Sequence, residues 1–145
     1  MGLNISLVRY PILDISIVES SALVFPDEEA TLIESQELYG DICFHLDQFC
    51  TDNRLYNTLL IYDGKTSKEI VVSGKYIKHG FESVLLNEVE RLFIETLKDL
   101  WPVNDLNVGG FIDSIGDLCA LHKLIELKVS NSNFSGPNTI LKVGF

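Results

Sequence analysis

Apolar residues recur at period two over the first 19 residues. Ile5 and Leu7, then Leu13, Ile15 and Ile17, alternate with polar positions such as Asp14 and Ser16. That spacing predicts strand. Pro11 has no N–H to give to a ladder, so it predicts an edge position or a break between two short strands. From residue 35 to 50 the period lengthens. Leu38, Ile42, Leu46, Phe49 and Cys50 keep a helical spacing and define a buried arc, with Ser35 as the N-cap. Gly40 falls inside this segment and costs about 1 kcal/mol relative to Ala. Two apolar runs, 58–62 and 69–73, flank a polar loop holding Gly64 and read as a β-hairpin, with a further short strand at Tyr76 and Ile77. The longest helix follows over 82–100, with a stripe of Leu85, Val89, Leu92, Phe93, Leu97 and Leu100. Glu88, Arg91, Glu95 and Lys98 lie on its water side, and Pro102 stands just past its end. A short helix is expected at 112–121, then a strand at 125–129, where Ile-Glu-Leu-Lys-Val alternates, and a last strand at 139–145.

Hairpins, without a regular alternation of strand and helix, predict an α+β fold. The expectation is a mostly antiparallel sheet of five or six strands with two to three helices packed on one face. No repeat, linker or low-complexity tract divides the 145 residues, so a single domain over 1–145 is expected. At 46% apolar content the chain can bury a core. There is no apolar run long enough for a membrane helix and no basic-then-apolar leader pattern. Three cysteines, Cys43, Cys50 and Cys119, sit in apolar-periodic surroundings, which predicts reduced thiols and a cytoplasmic setting.

Charge sharpens this outline. Residues 10–53 hold ten carboxylates and no Lys or Arg, while the remainder has eleven of each sign; the net charge of −10 therefore belongs to one block. A one-signed block repels nucleic acid and anionic membrane and attracts a basic protein. On the helix expected at 35–50, Glu34, Glu37, Asp41, Gln48 and Asp52 share one stripe, with Phe44 beside it. Acid around an exposed ring suits a protein interface, because charge steers the partner and the ring anchors it. The same acids also suit a solvated helix face.

Other candidates read as ordinary structure. Cys43, His45, Asp47 and Cys50 could ligate a metal by type, but their spacing does not converge on one point, so no metal and no cofactor are expected. His45, His79 and His122 stand in no local catalytic signature, and Glu88 and Glu90 point to different sides of a helix; no catalytic residue is assigned. Gly109-Gly110 lacks the strand and the Lys that a phosphate loop needs and reads as a turn before the short helix. Lys65, Lys68, Lys75, Lys78 and His79 cluster around the hairpin, where Lys commonly guards a sheet edge; direct nucleic-acid binding is not expected.

In size, charge and α+β layout the chain resembles the bacterial immunity proteins made beside polymorphic toxins, including those of contact-dependent growth-inhibition systems. The resemblance implies direct occlusion of a cognate toxin domain, often a nuclease with a basic cleft, and no membrane partner. A monomer is the simpler expectation for such an antidote. An acidic secretion chaperone is the alternative, for which a large exposed apolar patch and a dimer are the expected signs. A nucleic-acid mimic, which needs acids spread over an extended surface, and a small enzyme, which needs a pocket where His79 or His122 meets a carboxylate or Cys, complete the set.

Overall fold

The computed structural model describes residues 3–10, 24–26, 30–38, 40–63 and 69–144. In chain order the elements are β1 (Leu3–Arg9), β2 (Val24–Pro26), β3 (Thr31–Leu38), α1 (Asp41–Asp52), β4 (Tyr56–Asp63), β5 (Glu69–Ile77), α2 (Glu82–Leu100), α3 (Val108–Ser130) and β6 (Thr139–Gly144). The strands form one sheet in the order β2-β4-β5-β6-β1-β3. Every pairing is antiparallel except the short parallel contact of β2 with β4. The fold is α+β, as the sequence pattern predicts.

Alternation along the strands separates two faces. Leu3, Ile5 and Leu7 of β1 and Leu141 and Val143 of β6 point to one face, where they pack with Leu46 and Cys50 of α1, Leu85 and Val89 of α2, and Leu118, Leu121 and Leu124 of α3. All three helices therefore share one core on one face of the sheet. A second, smaller cluster, with Val8, Leu59, Tyr76 and Ile140, is buried on the opposite face. Each fully buried Leu contributes about 2 kcal/mol relative to exposure.

Two segments differ from the expectation. Residues 31–38 are a strand, so Ser35 is not a helix cap: its hydroxyl donates to Asn4 Oδ1 across the β1–β3 ladder at 3.1 Å. Strand pairing to β1 satisfies this backbone, and the helix begins only after Gly40, whose N–H donates to Asp117 Oδ2 at 3.3 Å. Leu38 is buried as expected, though from the strand. At the other end, 125–129 is not a strand. It is the last part of α3, which runs unbroken for 23 residues and includes the expected short helix. Leu118, Leu121, Leu124, Ile125 and Lys128 bury at helical spacing, and that stripe overrides the five-residue alternation. Gly109-Gly110 lies in the first turn of α3 instead of before it.

The other elements stand close to where the pattern puts them. The helix expected at roughly 82–100 is α2. Tyr76 and Ile77 continue the second hairpin strand through a bulge opposite Leu59/Leu60, and Gly74 at φ 144° supplies a conformation open to glycine. The period-two run at Leu13, Ile15 and Ile17 lies outside the described residues.

Candidate functional site

The acidic residues expected on one stripe are divided by the strand-to-helix boundary. Glu34 lies opposite Leu7 on the helical side of the sheet, where its carboxylate stands 3.6 Å from Lys123 Nζ and accepts from Gln36 at 3.3 Å. Glu37 pairs with Asn4, so strand alternation turns it to the other face. The remaining four, Asp41, Phe44, Gln48 and Asp52, do share a face. Cys43, Leu46 and Cys50 pin one side of α1 into the core, which leaves positions 41, 44, 48 and 52 on the outer side. Asp41 in the first turn suits the positive end of the helix dipole.

Phe44 is 56% exposed on this face. Gln48 Nε2 donates to Asp52 Oδ1 at 2.7 Å, which fixes the far end of the stripe. Among the described residues no Lys or Arg forms an ion pair with Asp41 or Asp52. The outer face of α1 thus presents two uncompensated carboxylates and an amide around an aromatic ring.

The helix behind this face is held rigidly. Asp47 Oδ1 accepts from Tyr56 at 2.7 Å and from Lys75 at 2.9 Å, and the Lys75 ammonium lies 4.2 Å from the centre of the Tyr56 ring. Burial, then Cys50 and Asp47, push the Tyr56 hydroxyl upward, so it stays a donor. Burial likewise pushes the Cys50 thiol up to about 12, which makes it inert. On the α2 side His45 Nε2 stands 3.5 Å from Glu88, which also accepts from Arg91. Glu88, expected to face water, is buried. Desolvation raises its pKa, but the hydrogen bond and charge of Arg91, with His45, outweigh it and hold the carboxyl below its ordinary value.

The chemistry that would suggest catalysis is present only in part. His122 does meet carboxylates: its Nε2 lies 3.2 Å from Glu90 and its Nδ1 3.4 Å from Glu126, and Cys119 lines the same groove. No hydrogen bond joins His122 to the Cys119 thiol among the described residues, and a nucleophile–base pair needs that contact. His79 Nδ1 stands 3.4 Å from Lys128 Nζ, which is buried in a loose pair with Glu82 at 3.9 Å and donates to the Gly136 carbonyl at 2.6 Å. This closes the end of α3 onto the loop before β6. Among the described residues no three His, Cys, Asp or Glu groups converge as a metal ion requires. Nor is any described helix long and apolar enough to cross a membrane.

One surface escapes the sequence reading. Trp101 is 68% exposed, Leu106 98% and Ile112 61%, all at the end where α2 turns into α3. The signal was in the spacing of 108–122, which the split into a short helix and a strand conceals. Comparison of the chain with family models, curated proteins and solved structures gives no match. The functional reading therefore rests on these surfaces.

Proposed function

We propose that this protein is an immunity protein, which binds a cognate toxin domain and neutralises it by covering a basic active-site cleft. The observation that carries the reading is Phe44, exposed on α1 between Asp41, Gln48 and Asp52, with no base compensating those two acids among the described residues. A cleft that holds phosphates offers Lys and Arg, and those groups complement Asp41 and Asp52. The ring of Phe44 supplies the desolvated anchor that surface charge alone lacks. The role is steric and electrostatic, with no reaction and no cofactor, and the same charge repels nucleic acid and anionic membrane. The interface is narrower than an acidic stripe from 34 to 52, because Glu34 is already paired with Lys123.

The exposed apolar end of α2 and α3 favours a second reading, an acidic secretion chaperone that holds an effector client. One experiment separates the two. The chain is co-expressed in a bacterium with the toxin domain encoded beside its gene, and survival is scored. Protection by the wild type, lost in the Asp41→Lys, Phe44→Ala, Asp52→Lys triple variant, is the expected result. A triple variant that protects fully removes α1 as the interface. No protection by a well-expressed wild type overturns the antidote reading.

A further inference from the structure

α2 and α3 form an antiparallel pair whose inner sides bury the core, but their upper flanks carry a second pattern. On α3, Val108, Ile112, Ile115, Cys119 and His122 stand at alternating steps of four and three; on α2, Glu90, Ile94, Leu97 and Trp101 do the same. Such steps hold side chains in line along a seam that another helix can meet, as the buried stripes Leu85, Val89, Leu92 and Leu118, Leu121, Ile125 do for the core. The two seams face each other across a groove of about 490 Å³ lined by Val89, Phe93, Ile94, Leu118 and Cys119. From Glu90 to Trp101 the seam runs about 16 Å, or three helical turns. Beyond the groove, Trp101, Leu106 and Ile112 are exposed where α2 turns into α3.

The rim decides what fits. Glu90 lines the groove and Glu126 stands beside it, 3.2 Å and 3.4 Å from His122, while Glu95 faces Arg91 and Asp117 turns away to the Gly40 N–H. Arg91 is committed to Glu88 and Glu95, and Lys123 lies beside Glu34. Glu90 and Glu126 flank the inner end of the groove through His122. A second copy of this chain would bring a net charge of −10 against the same charge. We infer that the α2–α3 groove is a docking site for an amphipathic helix of a partner protein, with an apolar stripe of about three turns and Lys or Arg on its flanks. This goes beyond the antidote reading, which uses α1, and either surface can fail without the other.

Trp101, the one tryptophan of the chain, is exposed at the C-cap of α2, so its emission reports a helix that runs the length of α2 from Glu90. Two synthetic helical peptides about three heptads long, with the same Leu/Ile seam and either Lys or Glu flanks, are titrated into the full-length protein. The Lys-flanked peptide shifts Trp101 emission to the blue and binds at least about tenfold more tightly than the Glu-flanked one. Ile94→Ser with Ile112→Ser weakens it about tenfold or more, both positions being exposed, while Phe44→Ala changes nothing. Glu90→Lys with Glu126→Lys erases the preference between peptides while leaving Ile94, Leu97 and Ile112 in place. Equal binding of the two peptides, or binding of neither, overturns the proposal. So does sedimentation as a dimer that Ile112→Ser dissociates, since the occupant is then a second copy.

Discussion

Lys128 and Glu82 are both buried beneath the loop before β6, and Glu82 Oε1 has no hydrogen-bond partner. Desolvation lowers the Lys128 pKa below its ordinary 10.5, against the opposing charge of Glu82. Between the lowered value and 10.5 the unfolded chain binds a proton that the folded chain does not, so this group makes stability rise with pH across that window. Lys128→Met removes that rise and leaves Glu82 buried without its cation; a loss of about 3 kcal/mol in urea unfolding is expected at pH 7. Adding Glu82→Gln should restore part of it, so the two losses do not add. Glu88 has the opposite linkage. Its folded pKa lies below 4.5, so its stabilisation is present above 4.5 and fades as pH falls through the lowered value. Glu88→Gln should lower Tm at pH 7, with the gap to wild type closing in acid. Thiol accessibility gives a third check. Cys43 and Cys50 are buried and Cys119 is exposed, so iodoacetamide on the native protein should add one label by mass, at Cys119.

Among the elements, α2 was legible because it carries one uninterrupted period with Pro102 as its stop, and the β4–β5 hairpin because two apolar runs flank a polar loop. The β3–α1 boundary was not. Leu38 at the strand end and Ile42, Leu46 and Cys50 in the helix happen to continue one helical spacing, and only the pairing of β3 with β1 reveals the change. The same boundary governs the candidate site: Asp41, Phe44, Gln48 and Asp52 were legible as one face, while Glu34 and Glu37 were assigned to it by a helix that does not reach them. In α3 the misleading feature is Lys128, a charge in the buried stripe that makes 125–129 look two-sided. The continuity of α3 can be tested at Gly116, which lies mid-helix where an added methyl group would meet open space. Gly116→Ala should stabilise the protein by about 1 kcal/mol and raise Tm, whereas a loop requiring glycine there would give a loss.

At the scale of the whole molecule, folding redistributes the acid block. Asp47 is compensated by Lys75 and Glu34 by Lys123, both bases from beyond residue 53, while Asp14, Glu19 and Asp27 to Glu29 lie outside the described residues. What α1 keeps on its outer face is one carboxylate at each end, Asp41 and Asp52, about 16 Å apart along the axis, with Phe44 between them. Glu90 and Glu126 place a second, smaller acidic site at one end of the α2–α3 groove, although the chain outside 10–53 is neutral on balance. Each surface joins apolar area to negative charge, the arrangement that favours fast, salt-sensitive association with a basic partner. The most direct measurement is the Kd of the purified chain for the neighbouring toxin domain across a range of salt, for wild type and for Asp41→Lys, Phe44→Ala, Asp52→Lys. The account predicts a loss of about a hundredfold or more and a flatter salt dependence in the variant. Equal affinity with an unchanged salt slope would contradict it.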